Sequence, residues 1–181
     1  MTRKFLAAIL SLAAGAQWLG GGTSMPLSLD RLVNDAQLVL RGTVRAKNCQ
    51  LDPEGRIYTK IDLEVTEVWK GSLTNRSFTV VHSGGVFGNR RSSAAHQVEF
   101  QLDEEVVVFL TVNRRGEGVC LGMSQGKFHV WENAAARQKF VSNPFHGGSA
   151  SDAPAVTPQA KIKNGPLTLV ELKQLVRGGG R

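Results

Sequence analysis

The chain has 181 residues, 41% of them hydrophobic and 20% charged, enough for one domain with its own core plus some extra length. Its formal charge of +7 first suggests nucleic acid or an anionic surface as partner, but the position of the charges argues against a nucleic-acid-binding barrel. Residues 17–132 hold 13 Lys+Arg and 13 Asp+Glu, so the excess lies in Arg3, Lys4 and a basic tail, not on one face of the fold as phosphate binding requires.

The first 16 residues have the three parts of an export signal. Arg3 and Lys4 form a positive n-region, Phe5 to Ala14 an apolar h-region broken by Ser11, and Ala14-Gly15-Ala16 a small-x-small cleavage site. An apolar run of about ten residues is too short for the ~20 that a spanning helix needs, and no later stretch is longer, so no membrane span is expected. Cleavage would leave Gln17 first, and an exported address, periplasmic or extracellular, follows.

A short helix is expected next, with Ser28 as N-cap, Leu29, Leu32, Val33 and Ala36 at helical spacing, and a Leu27–Leu32 staple. The pattern then switches to period two. Leu38, Leu40, Gly42, Val44 and Ala46 share one face of a strand, with Arg41, Thr43, Arg45 and Lys47 on the other, and Gly42 marks a bend. Asp52-Pro53-Glu54-Gly55 is a turn. It leads to a long strand with Ile57, Thr59, Ile61, Leu63, Val65 and Trp69 on one face. Arg76 to His82 forms a third strand. Beyond the Gly-rich 83–88 loop, Val106 to Leu110 is apolar on both faces, as a central strand covered on both sides would be. Val119 to Gly122 and Lys127 to Trp131 complete the set, and residues 133–142 fit a helix or a hairpin equally well.

Residues 143–166 are rich in Gly, Ser, Ala and Pro and read as a linker. A C-terminal helix over 167–177 follows, with a Thr168/Glu171 capping box and a Leu167–Leu172 staple. Leu169, Leu172, Leu175 and Val176 form its apolar stripe. At about ten residues it is too short to stand alone, so it must dock, most simply on its own domain. The expected fold is mainly β: a small antiparallel OB-like β-barrel over 17–142 with a short N-terminal helix and a C-terminal helix after the linker.

Asp35-Ala36-Gln37-Leu38-Val39-Leu40-Arg41-Gly42-Thr43-Val44, Ile57-Tyr58-Thr59, Val65-Thr66-Glu67-Val68-Trp69-Lys70-Gly71, Gly84-Gly85, Val107-Val108-Phe109-Leu110 and Gln125-Gly126-Lys127-Phe128 stand in a definite order and spacing. Over residues 29–131 this resembles a broad, uncharacterised family of exported bacterial proteins with a barrel like that of tissue inhibitors of metalloproteinases. The chain departs from the family pattern at Asp103-Glu104-Glu105, where a Gly-Glu usually precedes the Phe-Leu strand. The resemblance implies a fold more than a function. Inhibitors with this barrel chelate the protease zinc through an amino-terminal cysteine, and here Gln17 stands at the expected mature terminus, so that mechanism does not carry over.

Only Cys49 and Cys120 are present. In an oxidising compartment they permit one disulfide, which would close a loop worth about 4 kcal/mol; two separate free thiols are the alternative. His82, His96, His129 and His146 show no H-x-x-x-H or C-x-x-C spacing, so no metal site or other cofactor is expected. There is no G-x-S-x-G, no triad arrangement, and adjacent Glu104 and Glu105 point to opposite faces of a strand.

Ser83-Gly84-Gly85-Val86-Phe87-Gly88 does not open a helix and is no phosphate loop. It is the best interaction candidate, because Val86 and Phe87 form an apolar tip beside Arg90 and Arg91. The expected function is a non-enzymatic exported module that binds another protein or an envelope component through these four residues. A hydrolase with an unrecognised site is the alternative from another class, and a metalloprotease-inhibitor-like protein a weaker one.

Overall fold

The computed structural model describes residues 25–93, 96–133, 137–147 and 165–179. Residues 1–16, expected to be a leader, and Gln17 lie outside the described residues, as does most of the 143–166 segment.

Helix α1 (Leu29–Asp35) opens on Ser28, whose hydroxyl oxygen accepts from the Arg31 amide at 3.2 Å and satisfies one orphan donor of the first turn. Its last carbonyls are also met: Lys70 Nζ donates to Val33 O (2.6 Å) and Asn34 O (3.1 Å). The strands follow as β1 (Leu38–Leu51), β2 (Ile57–Lys70), β3 (Ser77–Ser83), β4 (Gly85–Phe87), β5 (Arg90–Ser92), β6 (Glu105–Val112), β7 (Gly118–Cys120), β8 (Lys127–Asn133), β9 (Gln138–Ser142) and β10 (Leu167–Thr168), with a 3-10 turn over Met123–Gly126. Helix α2 (Leu169–Gly178) ends the described chain, and its Thr168/Glu171 capping box forms in full.

The protein is mainly β. One large mixed sheet runs β1-β2-β3-β7-β6-β8-β9-β10, and β6 pairs with β1 as well. The β3–β7 pairing, Val80 opposite Gly118, is parallel; the other pairings are antiparallel. β4 and β5 form a separate two-stranded hairpin.

Two apolar clusters hold the sheet. One gathers Leu38, Leu40, Val44, Ile61, Leu63, Val65, Val80, Val106, Val108 and Leu110. The other gathers Val39, Trp69, Val107, Phe109, Phe128 and Val141 with Leu32 and Val33 of α1 and Leu169, Leu172 and Val176 of α2. β6 therefore supplies alternate residues to both clusters, as an apolar run covered on both faces requires. α2 docks on its own domain, against α1, β2 and β9.

Four points of the expected fold are changed or decided. Trp69 leaves the face shared by Ile61, Leu63 and Val65 and joins the helix-covered cluster. Arg41 pairs with Glu67 and Gly42 with Val65, so Thr66 is the extra residue of a bulge, which reverses the side-chain alternation beyond it. Residues 133–142 belong to a β8–β9 hairpin, with Trp131 stacked on Phe140 at 4.9 Å. The domain also runs past residue 142. Asn143 Oδ1 accepts from the amides of Phe145 and His146 (2.9 and 2.7 Å), and His146 is buried with its Nε2–H donating to Leu27 O at 2.8 Å.

The fourth change concerns the cysteines, which are both free. Cys49 lies opposite Thr59 on β2, and Cys120 opposite Leu110, which in turn faces Leu38 at the far end of β1. Cys49 is thus 11 positions (49 − 38) along β1 from the level of Cys120. At about 3.3 Å per residue that is well beyond the ~3.8 Å Cβ separation of a disulfide. Burial pushes the Cys120 thiol up to about 12, which leaves it inert.

Candidate functional site

The Gly-rich segment is neither a loop nor a helix start. Val86 pairs with Arg91 and Phe87 with Arg90 across the β4–β5 hairpin, which turns at Gly88, a residue with φ of +59°. Its root is pinned to the sheet: Thr59 Oγ1 donates to Gly84 O at 2.7 Å, and the Gly84 amide donates to Ile57 O at 2.8 Å. Gly85 lies so close that a Cβ there would stand 2.5 Å from Thr59 Oγ1 and 2.7 Å from Cys49 Sγ. A side chain at this position would lift the hairpin off the sheet.

The four residues singled out in the sequence are thus held together on one small element. Val86 is 59% and Phe87 42% exposed, and both arginines are exposed. Arg90 Nη2 donates to Gly55 O at 3.2 Å, tying the hairpin to the β1–β2 turn. The pairing divides them in two. Val86 and Arg91 line a cavity of about 530 Å³ behind the hairpin, and the lining does not include Phe87 or Arg90.

The cavity brings in residues that sequence reasoning left apart: Lys47 and Cys49 of β1, Thr59 of β2, His82 of β3, and His96, Gln97 and Glu99 of the following segment. Period-two patterning places Lys47 on the outer face of β1. A register shift between Val44 and Ala46 separates the core-facing part of the strand from the part at the cavity. No local motif marks this shift, so the cluster was not legible from spacing.

His82 is the most constrained of these groups. Its ring stacks on Phe100 (6.3 Å), its Nδ1 lies 2.9 Å from Ser83 O and 3.3 Å from Gln97 Nε2, and its Nε2 is buried with no hydrogen-bond partner among the described residues. Burial lowers its pKa, and Lys47 adds to the lowering while Glu99 opposes it. Burial lowers that of His146 as well. Both imidazoles are therefore neutral in the fold at neutral pH.

Unfolded imidazoles take up protons near pH 6.5 while the folded ones resist. Stability is full above that value and falls as pH drops through it towards the lower folded values. The melting temperature is expected to fall between pH 7.5 and pH 5, and the His82→Asn/His146→Asn double variant to show a shallower fall. An equal fall in the variant would assign the effect to other groups.

No protein-family model matches the chain, and no curated protein matches it.

Proposed function

We propose that the chain is an exported binding module that docks on a partner protein through the β4–β5 hairpin. The pairings β1–β2, β2–β3, β3–β7, β7–β6 and β6–β1 return to their starting strand. That ring, with its one parallel step, supports the reading of an OB-like barrel. The positive, apolar and small-residue parts of the leader support export.

One observation carries the functional reading. Val86 and Phe87 are exposed apolar residues on a hairpin rooted by hydrogen bonds, with Arg90 and Arg91 directly across from them. An apolar anchor beside arginines on a rigid element is the composition of an interface centre. It suits a partner that offers an apolar pocket with an acidic rim.

The test is site-specific photo-cross-linking in the exported compartment. A cross-linker at position 87 should capture one partner, while one at the exposed Val170 of α2 should not. The Phe87→Ser/Arg90→Ala/Arg91→Ala variant should fold to within about 0.5 kcal/mol of wild type and lose capture in pull-down. Undiminished capture by that variant would remove the hairpin from the interface.

A further inference from the structure

Most cations on the sheet are already answered by carboxylates. Arg41 lies between Glu67 and Glu105 (both 2.5 Å), Arg45 between Glu64 and Asp103 (both 2.8 Å), and Lys127 against Glu104 (2.7 Å). Lys60 and Arg115 share Glu117 at 3.3 and 2.8 Å. The two cations that line the cavity behind the hairpin are different. Among the described residues Arg91 has no carboxylate partner, and Lys47 donates only to Phe100 O at 3.3 Å.

Glu99 lines the same cavity. Glu99 and Lys47 are both close enough to act on His82, yet they do not close to an ion pair. The cavity is therefore lined by two cations, two imidazoles and a single carboxylate. Its volume of about 530 Å³ lies within the ~300–1,000 Å³ of small-molecule sites.

We propose that this cavity binds a small organic oxyanion. Its anionic group lies against the Arg91 guanidinium and the Lys47 ammonium, and a ligand donor is offered to Glu99. Arg91 presents the planar fork that matches a carboxylate or phosphate, and Lys47 adds a point charge. The hairpin is then a wall of the site as well as a contact, so the inference rests on reading the hairpin as a binding element. It adds a ligand that shares Val86 and Arg91 with the docking hairpin but does not touch Phe87 or Arg90.

The probes are citrate, which brings carboxylates and a hydroxyl, and inorganic phosphate, titrated at constant ionic strength and followed by the amide NMR spectrum of the chain. Saturable shifts at Gly85, Arg91, Ser92 and Gln97 are expected. Response to citrate alone marks a carboxylate ligand, and response to phosphate alone a phosphorylated one. The Lys47→Gln/Arg91→Gln variant should bind at least about tenfold more weakly, as expected for loss of charge-assisted hydrogen bonds, with the rest of its spectrum unchanged. No saturable shift with either anion, or equal affinity in the variant, overturns the proposal. Partner capture is a separate readout through Phe87, so a failed cross-link with an intact anion titration removes the docking reading alone.

Discussion

Replacing Gly42 with valine is expected to abolish folding, whereas replacing Gly55 with alanine costs about 1 kcal/mol. Gly42 sits where β1 touches two strands at once, opposite Val65 of β2 and Val106 of β6. A Cβ on it would stand 2.5 Å from the backbone oxygen of Glu64, 3.1 Å from its carbonyl carbon and 3.2 Å from Val65 Cα. These are backbone atoms, so relief requires β1 and β2 to separate. The loss spreads over the register that the Thr66 bulge sets, and it exceeds the ~3 kcal/mol typical of core overpacking. Gly55 is the control, since it has φ of +74° and nothing within 4 Å of a Cβ, leaving only left-handed backbone strain of about 1 kcal/mol. Urea unfolding followed by circular dichroism separates the two. A folded Gly42→Val protein with wild-type midpoint would show that β1 and β2 do not approach as described.

Glu67→Gln is expected to loosen α2 and to remove an acid-sensitive part of the stability. The Glu67 carboxylate accepts from Lys173 of α2, from Arg41 Nη1 (2.5 Å) and from Trp69 Nε1 (3.2 Å). Lys173 above all, then Arg41 and Trp69, pull its pKa down from 4.5 to about 2 against the opposing effect of burial. A carboxyl lowered in the fold stabilises fully above its unfolded value, and the contribution is lost as pH falls from about 4.5 through about 2. With partial solvent screening allowed for, the variant should be less stable by about 2 kcal/mol at pH 7, and the difference should close towards pH 2. Hydrogen exchange in α2 should rise at the same time, because its Leu169, Leu172 and Val176 face is not enough to hold ten residues alone. A pH-independent difference would assign the loss to packing around Trp69 instead of charge.

Much of the fold could be read from the residues because each signal was local. Ser28, Thr168 with Glu171, and the two-faced run from Val106 to Leu110 all took the places that capping chemistry and period-two patterning give them. Trp69 did not. One inserted residue, Thr66, reverses the faces beyond it, and nothing in the composition of Val65-Thr66-Glu67 announces a bulge. His146 was hidden for a similar reason. Its neighbours are turn formers, and only the distant Leu27 carbonyl and Phe128 ring show why it is buried. The site divides along the same line. Val86, Phe87, Arg90 and Arg91 are near in sequence and stood out together, but Lys47, Cys49, His82, His96 and Glu99 meet only in three dimensions.

The placement of β6 between two apolar clusters reaches beyond packing. Val107 and Phe109 serve the cluster under the helices, while Val106, Val108 and Leu110 serve the one between the strands. A strand with both faces committed has no side on which to accept a polar replacement, and no means of yielding to one layer without disturbing the other. The two clusters cannot melt one after the other as long as they share this wall. The domain stands or falls as a unit, and α2, the last element among the described residues, is bound into that unit as the direct continuation of β10.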